Sequence, residues 1–234
     1  SITAALSRHA AERTLHTAFH FEADSVRFND LHQSVSRLAS YLLAHAVRGD
    51  KIALYLPNSP ALAVFFLAGV RAGCDVQVFD HEWPHPVVQE LLAQLSPALL
   101  VSSQDLGADH QTILIEDPCA PFIDIADLIG APQSVEELDE PPPLTAFYTG
   151  FTSGSTGPPK GFRRDHRSWL ESFANDQIEC PIDKNDVLMV PGALSHSLFL
   201  YALVRGIHAG CTVVFCRRFF TRNVARLIAR HRAT

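Results

Sequence analysis

Short apolar strands alternate with helical patterns along most of this chain. Between about residues 30 and 115 the pattern predicts four strands and three helices, the first helix running from a cap at Asp30 to about Val47. The second of these helices has the clearest ends, because Ser59-Pro60 is typical of a first turn and Gly73 of a helix end. Strands and helices in this alternation are typical of parallel βαβ units, so the sequence predicts an α/β fold with helices flanking parallel-rich sheets.

A change in composition divides the chain at residues 130–143. This segment holds Pro132, Pro141, Pro142 and Pro143 among four acidic residues, and it predicts a surface linker. Residues 1–129 then form a first α/β part and residues 144–234 a second. In the second part we expect strands over 144–149, 186–190 and 211–215, with helices from 167 and over 198–208. The final residues, 221–234, read as an amphipathic helix.

Composition excludes several functional classes. The 19 Lys and Arg against 25 Asp and Glu give a net charge of −6, which argues against a general nucleic-acid binder. No apolar run approaches the ~18 residues of a membrane span, and we expect no signal peptide, because the first 20 residues lack a continuous apolar core. Five unevenly spaced cysteines do not predict a disulfide framework, and Cys74, Cys211 and Cys216 lie among apolar neighbours that predict core positions. Together these features predict a cytoplasmic protein. Since the chain starts at Ser1 and stops inside a helical pattern, we also expect it to be part of a longer protein.

One loop carries the chemistry that the sequence reveals. It reads Phe151-Thr-Ser-Gly-Ser-Thr-Gly-Pro-Pro-Lys-Gly161 and directly follows a predicted strand. Glycines let backbone approach a ligand closely, hydroxyls donate hydrogen bonds, and Lys160 supplies a positive charge, a combination that suits a polyphosphate. The kinase-type phosphate loop is excluded, because Pro159 precedes Lys160 and Gly161 follows it where that motif needs Gly and Ser or Thr. A flexible linker is disfavoured by the apolar strand before the loop.

The same loop resembles the signature loop of the adenylate-forming enzymes, which include acyl- and aryl-CoA synthetases, nonribosomal peptide synthetase adenylation domains and luciferases. Two upstream segments are similar to family segments as well: Gly49-Asp-Lys-Ile-Ala-Leu-Tyr-Leu-Pro-Asn-Ser59 and the stretch from Ala68 to Asp80. Downstream, Val190-Pro-Gly-Ala-Leu-Ser-His-Ser-Leu-Phe199 resembles the segment that places a His or aromatic residue beside the acyl pocket. The resemblance covers about residues 28 to 220.

The resemblance implies a two-step reaction. A carboxylate attacks the α-phosphate of Mg-ATP to give an acyl-adenylate and pyrophosphate, and a thiol of coenzyme A or of carrier-protein phosphopantetheine then takes the acyl group. It also implies site residues. His196 is the substrate-pocket position, and the phosphate-binding positions are Thr152, Ser153, Gly154, Ser155, Thr156, Gly157 and Lys160.

Later family motifs are absent, including the magnesium-binding Glu, the ribose-binding Asp and the C-terminal Lys. The chain therefore resembles only the N-terminal part of the family's large domain, and no catalytic residue is assigned within it. We expect an acyl-CoA synthetase, because no acidic residue between Asp186 and Thr234 is available to bind an α-ammonium group. An adenylation domain, a binding module without turnover and an assembly piece are the alternatives.

Two further patterns suggest ligands less strongly. His81-Glu-Trp-Pro-His85 matches a zinc-protease pattern, but Pro84 and Pro86 interrupt the single helix that this chemistry needs, so no metal site is predicted. Arg163 and Arg164 stand where most family members have apolar residues. Solvated side chains are the favoured interpretation, and contact with an anionic ligand such as a coenzyme A phosphate is the alternative.

Overall fold

The computed structural model describes residues 1–107, 110–119, 138–152 and 159–234. These ranges contain seven α-helices: α1 (Ala4–Glu12), α2 (Phe28–Leu43), α3 (Pro60–Ala72), α4 (His85–Leu95), α5 (His166–Glu179), α6 (Ser197–Ala209) and α7 (Thr221–His231). The same ranges contain ten strands: β1 (Thr17–Phe21), β2 (Asp24–Arg27), β3 (Lys51–Tyr55), β4 (Asp75–Val78), β5 (Leu99–Ser102), β6 (Thr112–Leu114), β7 (Ala146–Thr152), β8 (Lys160–Asp165), β9 (Val187–Val190) and β10 (Thr212–Phe215).

The described strands form two sheets. The larger has the order β6-β5-β3-β4-β7-β8, and its strands are parallel except that β8 runs antiparallel to β7. The smaller has the order β2-β1-β10-β9, and there β2 runs antiparallel to β1. The predicted α/β class, with parallel-rich sheets flanked by helices, is confirmed.

Each sheet takes strands from both sides of segment 130–143. In the smaller sheet Phe19 of β1 lies opposite Val213 of β10, and in the larger sheet Val76 of β4 lies opposite Tyr148 of β7. Residues 1–129 and 144–234 therefore build both sheets together. A linker at 130–143 stays a prediction, since residues 130–137 lie outside the described part of the chain.

Helix α3 is the buried centre of the larger sheet's packing. Its start is fixed by the Ser59 hydroxyl, which accepts a hydrogen bond from the Leu62 amide at 3.2 Å, and it ends at Gly73, whose φ of +80° favours glycine. Both predicted ends are confirmed. Phe65 and Phe66 are fully buried on it, and each contributes roughly 2 kcal/mol.

The helix also packs closely on β4. A Cβ atom at Gly69 would lie 2.6 Å from Cγ2 of Val76, so a larger residue here would force helix and strand apart.

Three cysteines occupy the core as predicted. Cys74, Cys211 and Cys216 are buried, and all five cysteines are free thiols. Burial raises the pKa of Cys74 to about 12 and the pKa values of Cys211 and Cys216 to about 11. These thiols therefore stay protonated and act as small apolar residues.

Several boundaries differ from the sequence predictions. Helix α2 begins at Phe28, with Arg27 in the cap position, and ends at Leu43 instead of near Val47; Asp30, predicted as the cap, lies in its first turn. Phe28 is fully buried and anchors this earlier start. No sequence pattern predicted α1, β1, β2 or β8. Among the described helices, none has the length and apolar character needed to cross a bilayer.

Candidate functional site

The predicted phosphate loop joins β7 to β8. Thr152 and Lys160 form the last pair of this hairpin before the loop, and the Thr152 hydroxyl donates to the Lys160 carbonyl at 3.4 Å. Both residues are exposed. The remaining predicted phosphate-binding residues lie outside the described residues: Ser153, Gly154, Ser155, Thr156 and Gly157. The two described ends of the loop therefore meet at the carboxyl end of a parallel strand, where open α/β sheets bind ligands.

The loop after β3 lies at the same edge of the sheet but uses its polar groups within the protein. Ser59 caps Leu62, and the Ala61 amide donates to the Pro118 carbonyl at 3.4 Å. The first amides of a helix often bind phosphate, but here they already have partners. This leaves the β7–β8 loop as the better phosphate-binding candidate of the two.

A buried carboxylate supports the hairpin. Asp75 of β4 is 1% exposed, and both of its oxygens accept from the Thr149 hydroxyl, at 2.9 and 3.1 Å. Arg163 of β8 places its Nε 2.9 Å from the same carboxylate. The Arg163 side chain is 60% exposed, as the favoured interpretation expected, but its guanidinium also neutralises a buried charge. Arg164 is exposed, as expected.

His196 lies at the start of α6, in the loop that follows β9. It is exposed, and its carbonyl accepts from the Phe199 and Leu200 amides at 3.0 and 3.2 Å. The next residue, Ser197, lies close enough to the Tyr148 hydroxyl of β7 to affect its pKa, although this buried hydroxyl makes no hydrogen bond of good geometry to a described residue. Burial raises the pKa of Tyr148 to about 12, and the interaction with Ser197 partly offsets that rise. The structure thus brings the His196 segment against the strand that carries the phosphate loop.

A cavity of about 630 Å³ opens where the carboxyl edges of the two sheets meet. It is lined by loops that follow β3, β4, β5, β9 and β10, including Asn58, His81, Ser103, Ser195, Arg217 and Arg218. Its size lies within the range of small-molecule sites. Its wall carries hydroxyl, amide and guanidinium groups together with the carboxylates of Asp80 and Glu82, and Glu82 pairs with Arg218 at 3.2 Å, so the cavity suits a polar ligand.

The zinc-protease pattern does not form its required geometry. Helix α4 begins at His85, so His81 lies before it rather than on it. The His81 ring contacts the Ser103 hydroxyl at 3.1 Å, and the His85 ring contacts the Gln104 side-chain oxygen at 2.6 Å. Within the described ranges, no group of three His, Cys, Asp or Glu residues is placed to hold a metal ion.

Sequence analysis assigned no role to Asp75, Thr149 or the Asn58 side chain. Asp75 offered a signal, because a charged residue at the start of an otherwise apolar strand requires a partner. Its partner Thr149 lies 74 positions further along the chain, so the sequence does not indicate which residue pairs with Asp75.

Comparison with known proteins places these features in a family. A model of the AMP-binding enzymes matches residues 6–234. The acyl-CoA ligase YhfT of Bacillus subtilis, itself uncharacterized, is 33% identical over 86% of this chain and 42% of its own length. Malformin synthetase of Aspergillus vadensis is 33% identical over 65% of this chain but only 3% of its own length.

A solved structure shares the fold. The o-succinylbenzoate CoA synthetase of Bacillus subtilis, in complex with its acyl-adenylate intermediate, superposes with a TM-score of 0.85 at 24% identity. The match covers 99% of this chain and 60% of that one. The chain thus spans less than half of YhfT and about three fifths of the synthetase.

Proposed function

Because this chain belongs to the AMP-binding enzyme family, we propose that it is the N-terminal part of an ATP-dependent acid–thiol ligase. The observation that carries the proposal is the exposed pair Thr152 and Lys160, at the carboxyl end of β7 in a chain that matches the family over residues 6–234. The acceptor in the second step would be the thiol of coenzyme A or of carrier-protein phosphopantetheine.

In the first step, an oxygen of the carboxylate bonds to the α-phosphorus of ATP, and the bond from that phosphorus to the bridging oxygen of pyrophosphate breaks. The Lys160 ammonium neutralises charge on the β- and γ-phosphates as pyrophosphate leaves. The hydroxyls of Thr152, Ser153, Ser155 and Thr156, with the backbone amides of the glycine-rich loop, hold the phosphate oxygens. Catalysis of this kind depends chiefly on positioning and charge stabilisation.

Magnesium would accompany ATP as its usual counter-ion. Of the two described residues at the loop, Lys160 offers an ammonium, which suits phosphate oxygens and not a cation, whereas the neutral Thr152 hydroxyl suits either. We therefore assign these residues to the phosphates and no residue of this chain to the metal.

We infer an acyl-CoA synthetase, with His196 beside the pocket for a small carboxylic acid. The likeness to an acyl-CoA ligase over 86% of this chain supports this choice, as does the lack of an acidic residue between Asp186 and Thr234. We also place the protein in the cytoplasm, in keeping with its five free thiols.

A second candidate is an adenylation domain of a peptide synthetase. The 33% identity to malformin synthetase favours this candidate, although that match covers a smaller part of this chain, 65%. The two candidates differ in the acid that they activate and in the carrier of the acceptor thiol.

The decisive experiment measures ATP–pyrophosphate exchange by the full-length enzyme with a panel of aliphatic acids, aryl acids and amino acids. We expect exchange with one of the first two classes and a loss of at least ~100-fold on Lys160→Ala, as for removal of one group that stabilises transition-state charge. Lys184→Ala removes an exposed lysine elsewhere and serves as the matched control.

Exchange that is unaffected by Lys160→Ala would contradict the proposed role of the loop. Exchange with amino acids alone would favour the second candidate. We expect residues 1–234 by themselves to form little or no acyl-adenylate.

A further inference from the structure

The side chain of Asn58 joins the two sheets at their carboxyl edges. Its Nδ2 donates to the carbonyls of Gly192 at 3.1 Å and Cys216 at 2.8 Å, and its Oδ1 accepts from the Leu194 amide at 2.7 Å. Asn58 follows β3 of the larger sheet, whereas its three partners follow β9 and β10 of the smaller one. Both amide hydrogens and one oxygen lone pair are thus used to hold backbone of the opposite sheet.

The segment held in this way leads to His196. Gly192 and Leu194 belong to the loop 191–196 between β9 and α6, and this loop ends at His196. The ring of Phe199 packs directly on the Gly192 backbone and leaves no room for a Cβ atom there. The Asn58 side chain therefore holds a short, closely packed loop through the backbone groups of that loop. These bonds do not depend on which side chains the loop carries.

The two groups that the reaction needs lie on different sheets. Thr152 ends β7 and Lys160 begins β8, both in the larger sheet, and His196 follows β9 of the smaller one. A displacement of about 1 Å between reacting groups can cost roughly 100-fold in rate, so their relative position must be held.

We propose that Asn58 is a positioning residue that sets loop 191–196, and with it the acid pocket at His196, against the sheet that binds the phosphates of ATP. This proposal rests on the proposed function. It assigns to Asn58 an effect on the acid rather than on ATP, because the Asn58 bonds hold the loop of the acid pocket and none of them reaches β7 or β8.

The test is steady-state kinetics of the full-length enzyme with Asn58→Ala and Asn58→Asp. For Asn58→Ala we expect KM for the acid to rise about tenfold while KM for ATP stays within twofold. For Asn58→Asp we expect a larger rise at pH 8, because a carboxylate would face the Gly192 and Cys216 carbonyls. We also expect a smaller rise at pH 5.5 than at pH 8, because burial beside two carbonyls should raise the pKa of the introduced carboxyl, and its protonated form can again donate one hydrogen bond.

Gln177→Ala is the matched control. Its side-chain amide also binds the backbone of a loop: it donates to the Ile182 carbonyl at 2.9 Å and accepts from the Ile182 backbone amide at 3.3 Å. A fall in Tm with equal changes in both KM values, as expected for a structural bracket, would overturn the proposal for Asn58.

Amide hydrogen exchange separates this inference from the proposed function. We expect faster exchange over residues 192–199 in Asn58→Ala and unchanged exchange over 146–152, whether or not the enzyme activates an acid. Unchanged exchange over 192–199 would overturn the positioning role. A lack of ATP–pyrophosphate exchange by the unsubstituted enzyme with every acid would instead contradict the proposed function.

Discussion

Two loops at the carboxyl edge of the same sheet use similar residues for opposite purposes. After β3, Asn58 and Ser59 direct their side chains to backbone groups of the protein. After β7, the Thr152 and Lys160 side chains are exposed at the end of a hairpin. The first loop is built to hold the structure, and the second is available to hold a ligand.

The difference shows that polar residues after a strand do not by themselves identify a binding loop. What separates the two is whether the polar side chains are held in bonds inside the protein or lie exposed, since the one bond of the Thr152 hydroxyl, to the Lys160 carbonyl, is 3.4 Å long and at the surface. Substitutions in or below the first loop should therefore change stability and leave ATP binding intact. Substitutions at Thr152 or Lys160, beside the second loop, should weaken ATP binding and leave stability intact. Substitutions further along the β7–β8 hairpin, away from the loop, should again change stability.

The largest effect on stability is expected at His166, which directly follows β8 at the end of the hairpin away from the loop. This residue is buried, stacks on Phe147 of β7 at 4.8 Å and accepts from the Ile2 amide at 3.3 Å. Desolvation by burial lowers the pKa of His166 from 6.5 to about 4. The unfolded chain thus binds the extra proton between these values.

Stability contributed by neutral His166 is complete above pH 6.5 and falls as the pH drops toward 4, by up to about 3 kcal/mol. Urea unfolding at several pH values should show this slope, and His166→Phe should flatten it. An equal slope in the variant would show that other groups cause the acid destabilisation.

An intermediate effect is expected at Arg163. Its loss leaves the buried Asp75 carboxylate with Thr149 alone, so Arg163→Ala should cost about 2 kcal/mol of unfolding free energy, less than for a fully buried pair. Arg164 is the neighbouring exposed arginine and is not part of this ion pair. Arg164→Ala should therefore change the unfolding free energy by less than about 0.5 kcal/mol. Chemical denaturation compares the two, and equal costs would remove the distinction between them.

The smallest effect is expected in the first loop, at Ser59. Ser59→Ala removes the cap of α3 and should cost about 1 kcal/mol in thermal or urea unfolding. Because this hydroxyl already has a partner within the protein, ATP affinity should not change. A loss of ATP affinity with unchanged stability would reverse the roles given to the two loops.

Sequence patterns predicted well what depends on neighbouring residues. The ends of α3 followed from Ser59-Pro60 and Gly73, and the position of the phosphate loop followed from the strand before it. Strand β8 was missed because Lys160 to Asp165 is charged and lacks apolar alternation; it forms by pairing with β7.

Contacts between distant residues were beyond prediction. The pairing of β1 with β10 and the bonds of Asn58 to Gly192 and Cys216 each join residues more than a hundred positions apart. No local pattern encodes such partners, and they decide how the two sheets and the candidate site are assembled.

The central claim is that the β7–β8 loop, and not the β3–α3 loop, contacts the phosphates of ATP. Amide hydrogen exchange of the full-length enzyme with and without Mg-ATP tests it directly. If the β7–β8 loop holds the phosphates, Mg-ATP slows exchange in peptides spanning residues 150–161 and leaves exchange over 57–63 unchanged. Slower exchange over 57–63, with 150–161 unaffected, would contradict it.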